Sequence, residues 1–239
     1  MGDFSHLLSF VFLLFAMKKR KSAKGISLKT QQLYLVVFVT RYLDVLNFGH
    51  SLTMGQLYNT SFKIVYISLT SLVIYLMMAK NPWKKSYEDF TKDRDTVNLL
   101  YIIGPALLLG FLFSSRWVWS GMSGFMETLW TFSIWLEAVT IVPQLIVLYR
   151  GDKEGRTAVV DALNANFVAA LGAYRALYLL NWVLRKYHES HYWAPVAWVA
   201  GLLQTGLYID FFYHYYKAYK ANKTMTLPQK SILIGGDAL

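Results

Sequence analysis

The chain has 239 residues, of which 55% are hydrophobic, 17% aromatic and only 16% charged, too apolar a balance for a soluble domain of this size and one expected of an integral membrane protein. Its net charge of +10 would suggest nucleic acid in a soluble protein, but here the excess gathers in alternate loops, so no nucleic-acid partner is expected. The absence of cysteine excludes disulfides and cysteine-based metal sites or nucleophiles.

A helix needs roughly 17–25 apolar residues to cross a hydrocarbon core of about 30 Å. Seven segments supply them, approximately 2–17, 31–48, 62–79, 97–114, 125–149, 162–184 and 193–216. The first is short, and a signal peptide is its rival reading. It lacks a basic n-region and a small-residue cleavage site and carries its basic cluster after the apolar run, so it is read as a helix.

Six Lys/Arg fall between Lys18 and Lys29, five between Lys80 and Arg94, three between Arg150 and Arg156, and four between Lys217 and Lys230. The alternate loops hold only Arg116, Arg185 and Lys186. By the positive-inside rule the basic loops and the C-terminus are cytosolic and the N-terminus faces the other side, as seven spans require. The loops are short and no soluble domain is inserted, so residues 1–216 are expected to form one membrane domain, and 217–239 a flexible cytosolic tail in which Pro228 opposes a continuing helix. Seven helices can be built as two three-helix repeats joined by a linking helix, with the site between the halves. Pro143-Gln144 would then mark a kink in the fifth span, because proline deletes a backbone hydrogen bond and frees a carbonyl.

Polar residues inside these spans are expensive, and so point to a site. In the second span Arg41 and Asp44 are i, i+3 neighbours, with Tyr42 beside them. A local salt bridge and a cavity wall both fit that pattern. In the fifth span Glu127, Trp130 and Glu137 fall at i, i+3, i+10, roughly on one stripe, with Glu137 deep enough to need a partner. In the sixth, Tyr174, Tyr178, Asn181 and Arg185 follow i, i+4, i+7, i+11 and form one polar stripe that looks like a wall of a binding cavity. Asp210 in the last span also needs a partner, for which Arg175 is the expected candidate. His6 is the one histidine placed inside a span near the lumenal face, and histidine titrates between about pH 5 and 8. Arginines, acids and tyrosines around one cavity suit a short ligand carrying carboxylates and one cation. With no HExxH, GxSxG, cysteine or phosphate loop, the chain reads as a binder or carrier without a cofactor.

Several of these blocks resemble one family over nearly the whole chain. Arg41-Tyr-Leu-Asp44, Tyr58-Asn-Thr-Ser-Phe-Lys63, Leu129-Trp-Thr-Phe-Ser-Ile134 followed by Leu136-Glu137 and Pro143-Gln-Leu145, Tyr174-Arg-Ala-Leu-Tyr178 with Asn181-Trp182, and Tyr208 through Asp210-Phe-Phe-Tyr213 are similar to the KDEL receptors, the ER lumen protein-retaining receptor family. The resemblance implies an all-α seven-helix membrane receptor, similar in fold to PQ-loop and SWEET-type transporters, that cycles between Golgi and endoplasmic reticulum. It implies capture of escaped soluble ER proteins by a C-terminal KDEL or HDEL-type signal in the acidic Golgi, return by a coat complex, and release near neutral pH. Position by position, Arg41 resembles the residue that meets the ligand's terminal carboxylate. Asp44, Glu127 and Trp130 resemble those around its basic first residue, and Asn181 and Arg185 those at its acidic groups. His6, Tyr174 and Glu137 match the proton-sensing group, and Arg175, Tyr178 and Asp210 the network that couples occupancy to helix movement. Lys217, Lys220 and Lys223 resemble the region read by coatomer, with generic positive-inside lysines the equal alternative.

The pattern also departs from the family. The family carries residues ahead of His6, including a ligand-contacting arginine, whereas this sequence starts at Met1, so either a longer gene product or binding with one fewer cation is expected. A five-residue insertion lengthens the loop between Asp44 and Tyr58, Trp193-Ala194 stands where an acid is expected, and the tail runs beyond Pro228 to Leu239. A small-solute or proton-coupled transporter on the same scaffold is the chief alternative, although paired charges suit a peptide better than a sugar.

Overall fold

The computed structural model describes residues 2–43, 53–115, 121–150, 158–189, 191 and 194–227. Within them run α1 (Gly2–Arg20), α2 (Leu28–Arg41), α3 (Met54–Ala79), α4 (Trp83–Phe90), α5 (Leu100–Leu112), α6 (Met122–Val139), α7 (Val142–Tyr149), β1 (Ala158–Val160), α8 (Ala162–His188), α9 (Pro195–Lys220) and β2 (Met225–Leu227). Every apolar segment read from the sequence contains a helix. The stretches Met54–Ala79, Met122–Tyr149 and Ala162–His188 are each long and apolar enough to cross a membrane, and Leu100–Leu112 is apolar but shorter.

The helices close into a ring. In order around it, α1, α3, α2, α6, α9 and α8 each pack on the next, α8 packs on α1, and α5 lies outside against α6. The α5–α6 contact is close because Gly110 has no side chain: a Cβ there would come within 2.7 Å of the Phe132 backbone. The core runs through the ring, with Leu13, Leu33, Val37, Val73 and Leu136 fully buried.

Three boundaries differ from the sequence reading. The second helix was expected over 31–48 but ends at Arg41, where Tyr42 caps it by donating its N–H to the Phe38 carbonyl at 3.0 Å. Asp44, and with it the expected pairing with Arg41, lies outside the described residues. The tail expected to be flexible from 217 is helical to Lys220, and Met225–Leu227 then pair antiparallel with Ala158–Val160. Met225 and Leu227 are buried, so hydrophobic burial holds this segment in place.

The third difference concerns the fifth span, which divides into α6 and α7 at Thr140–Ile141, just before Pro143. A second helix repairs the break. The Thr30 hydroxyl donates to the Thr140 carbonyl at 3.2 Å and accepts the Gln144 N–H at 2.9 Å, and so inserts itself into the i→i−4 bond that Gln144 would have made. The Gln144 side chain accepts from the Ser27 N–H and donates to the Gly25 carbonyl, both at 2.8 Å. Ser27 caps α2 by accepting the Thr30 N–H.

Asp95 ties the same end of the bundle together. Buried to 3% exposure, it accepts from the Ser27 hydroxyl at 2.8 Å, the Lys29 N–H at 3.2 Å and the Tyr87 hydroxyl at 3.0 Å. Burial and the Asp95 carboxylate raise the Tyr87 phenol well above its ordinary range, so it stays a proton donor. This knot fixes the start of α2 and the end of α6, the two helices that carry the charged centre of the site.

Candidate functional site

At the opposite end the ring opens into a cavity of about 420 Å³, with His6 of α1, Arg41 of α2, Tyr66 of α3, Glu137 of α6 and Arg175 of α8 on its walls. Glu137 is its hub. Its Oε2 accepts from Arg41 Nη1, and its Oε1 accepts from the Tyr174 hydroxyl and, at 2.7 Å, from Arg175 Nη2. Glu137 is 3% exposed and Arg175 6%, so these are ion pairs removed from water, held together because each charge is compensated and hydrogen-bonded.

Each side chain is fixed by a second contact. Arg41 Nε donates to the Ser133 hydroxyl at 3.0 Å and Nη2 to the Ser133 carbonyl at 2.9 Å. The Arg175 guanidinium lies 5.3 Å from the Tyr174 ring and 5.9 Å from the Trp182 ring, in cation–π range. His6 stacks on Tyr174 at 4.3 Å with planes 4° apart, and on Tyr66 at 4.8 Å. Two guanidiniums share one carboxylate, so among the described residues this centre is net positive before His6 is counted. Such a site attracts an anion.

A second, adjoining cavity of about 650 Å³ shares Arg41, Tyr42 and Trp130 with the first and adds Lys63 and Glu127. Lys63 Nζ sits 5.6 Å from the Tyr42 ring, and Glu127 Oε1 accepts from the Ser115 hydroxyl at 2.8 Å. Trp130 is the partition, 42% exposed.

The fold therefore brings His6, Arg41, Tyr42, Glu127, Trp130, Glu137, Tyr174, Arg175, Tyr178 and Arg185 to one compound cleft. It corrects two expectations. Asn181 is exposed and is not on the cavity wall, where Trp182 stands instead. At about 100° per residue, Tyr174, Arg185, Tyr178, Trp182 and Arg175 span one continuous arc of α8, and Asn181 falls beyond its edge. The other correction is the partner of Asp210. Arg175 is committed to Glu137, whereas Asp210 Oδ2 accepts from the Tyr149 hydroxyl at 2.6 Å and Oδ1 lies 3.9 Å from His214 Nε2. Asp210 thus bridges α9 to α7, away from the cavity.

Arg185 reaches the cavity from the end of α8 while holding Glu189 bidentately at 3.1 and 2.9 Å. That guanidinium lowers the Glu189 carboxyl below its ordinary value. Lys217, Lys220 and Lys223 are exposed at the far end of α9 and the turn after it. Sequence reasoning missed Ser133, which lies i, i+4 from Glu137 and was legible on that spacing. It also missed Trp182 and Gln204. Gln204, a lone amide in an apolar helix, is fully buried and donates to the Tyr174 hydroxyl at 3.3 Å.

The fold and site define a predominantly helical membrane protein with a charged cleft. The profile of the ER lumen protein retaining receptor family matches residues 22–185. The chain is 41% identical to an ER lumen protein-retaining receptor of Petunia hybrida over 95% of its own length and 96% of that protein. It is 42% identical to receptor A of Arabidopsis thaliana over the same shares, and 39% identical to the receptor of Entamoeba histolytica over 95% and 96%. The chain belongs to the ER lumen protein-retaining receptor family.

Proposed function

We propose that this chain is a sorting receptor that binds the C-terminal KDEL or HDEL-type signals of soluble ER proteins in the acidic Golgi and releases them at neutral pH in the endoplasmic reticulum. The observation that carries this reading is the net positive centre formed by Arg41, Arg175 and a single buried Glu137. A tetrapeptide of this type ends in a carboxylate, has two acidic side chains and begins with a cation. Arg41 lines the cavity and offers its fork to the terminal carboxylate, Arg185 takes an acidic side chain, and Glu127 at the far side of Trp130 takes the cation.

His6 supplies the pH dependence. Protonated, its ring adds a positive charge against the π-face of Tyr174 and close to Glu137, which favours an anionic ligand and releases Arg41 from sole duty to Glu137. Deprotonation withdraws that charge and Arg41 returns to Glu137. The reading further comprises seven membrane spans in the two-repeat arrangement of PQ-loop and SWEET-type transporters, a lumenal N-terminus and a cytosolic C-terminus. Residues 217–239 then form the tail, in which Lys217, Lys220 and Lys223 are offered to coatomer, with bilayer lipid around the bundle. Binding, not catalysis, is the activity.

The test is equilibrium binding of a labelled peptide ending in Lys-Asp-Glu-Leu to the purified protein at about pH 5.5 and about pH 7.4, either side of the ordinary histidine value. Tighter binding at the lower pH, lost in Arg41→Ala and made pH-independent in His6→Ala, is the expected result. Folded protein that binds the peptide at neither pH refutes the reading and favours solute transport.

A further inference from the structure

Where α1 and α3 end, the chain builds a basic face that the ligand cleft does not use. α3 is long and apolar enough to cross a membrane and stops at Ala79. α4 begins at Trp83, within about 14 Å of extended chain from the end of that span, and so lies close to headgroup depth. It is fastened there to the end of α1. The Trp83 indole N–H donates to the Met17 carbonyl at 2.9 Å, the Ala23 N–H to the Ser86 hydroxyl at 2.8 Å, and the Gly25 N–H to the Thr91 hydroxyl at 2.9 Å.

These bonds set two groups of lysines beside each other. Lys18, Lys19, Lys21 and Lys24 surround the end of α1, and Lys84 and Lys85 occupy the first turn of α4, all six exposed. Arg20, in their midst, is drawn instead to Asn164 and Asp161. Among the described residues none of the six lysines forms an ion pair, and the acids of α4 are Glu88 and Asp89 alone. The face is strongly positive.

Two aromatic rings decide between a soluble acidic partner and a lipid. Phe15 and Phe90 are 53% and 51% exposed, and each carries a lysine over its ring, Lys19 Nζ at 5.9 Å and Lys24 Nζ at 5.0 Å from the respective centroids. An exposed ring beneath an ammonium suits a boundary where the ring meets acyl chain and the ammonium meets phosphate. The half-buried Trp83 stands at the same level, as tryptophans do at membrane interfaces. A cluster of roughly four to eight basic residues just beyond a span is attracted to anionic headgroups.

We propose that the end of α1 and the start of α4 form a docking face for anionic phospholipid headgroups, held by Lys18, Lys19, Lys21, Lys24, Lys84 and Lys85 with Phe15 and Phe90 against the acyl chains. The leaflet is the one that the orientation given above makes cytosolic. Lipid bound here holds α4 flat on the membrane surface and, through Trp83 and Ser86, steadies the end of α1.

The test is native mass spectrometry of the whole chain released from bilayers of phosphatidylcholine mixed with phosphatidylserine. It uses neither the peptide nor a known orientation, so failure of the retrieval reading would not affect it. The wild type is expected to retain phosphatidylserine about fivefold above its share of the bilayer, and less at about 1 M salt, where screening shortens to about 3 Å. Lys84→Glu with Lys85→Glu, and separately Lys21→Glu with Lys24→Glu, are expected to lose that preference. Lys217→Glu with Lys220→Glu, which removes the same charge at the end of α9, is expected to keep it. No preference in the wild type would overturn the proposal and leave the face to a soluble acidic partner. Equal losses in all three variants would overturn it too, because the preference would then follow net charge and not this face.

Discussion

Replacing Glu137 by glutamine keeps the shape of the side chain and removes its charge. In the structure that charge faces Arg41 and Arg175, whose side chains are 18% and 8% exposed. Removing one partner of a buried ion pair costs about 3–5 kcal/mol, because the other is left uncompensated. The amide oxygen can still accept one hydrogen bond and Arg41 keeps its two bonds to Ser133, so the lower end, about 3 kcal/mol, applies. For a chain of this size that is a fall in Tm of about 6–12 °C, read by thermal unfolding of the purified protein. The stranded positive charge should also make the variant more responsive to added carboxylate, so that acetate or a Lys-Asp-Glu-Leu peptide restores more of its Tm than it adds to the wild type. An unchanged Tm with no differential rescue would show that Glu137 does not compensate the two arginines.

Peptide titration separates the two sides of α8. Trp182→Ala removes a cavity wall and a cation–π partner of Arg175 and is expected to weaken binding about tenfold or more, whereas Asn181→Ala is expected to leave it unchanged; equal losses would restore Asn181 to the site. Asp95→Ala strands two buried donors, Ser27 and Tyr87, and the half-buried Lys29 N–H, each buried donor costing about 1–3 kcal/mol, and is expected to lower Tm more than Glu137→Gln does; a shift smaller than that contradicts the knot. Glu189 tests the pH dependence by exclusion. Its carboxyl is lowered by Arg185, so the pair is intact above the usual carboxylate value of about 4.3 and is lost only as pH falls through the lower folded value. Glu189→Gln is therefore expected to free Arg185 and tighten peptide binding about twofold at both pH 5.5 and pH 7.4; a change confined to one pH would implicate Glu189 in the switch.

Composition alone determined that this is a membrane protein, because 55% hydrophobic residues leave a soluble fold too little polar surface. Apolar run lengths located the helices, and the cost of burying charge picked out Arg41, Glu137, Arg175 and Arg185 before any contact was known. Local rules stop at the edge of one helix, however. Spacing left Arg175 to Asp210, whereas the rotation and crossing of α6 and α8 gave it to Glu137, which the crossing of α2 also brings to Arg41. The same limit hid Thr30 and Asp95, which are unremarkable in sequence and become structural only when Gln144 and Ser27 are brought beside them. Periodicity says which residues share a face of a helix. Only the packed structure decides what that face meets, because a carboxylate's partner is set by distances between helices that are far apart in the chain, 96 residues for Arg41 and Glu137.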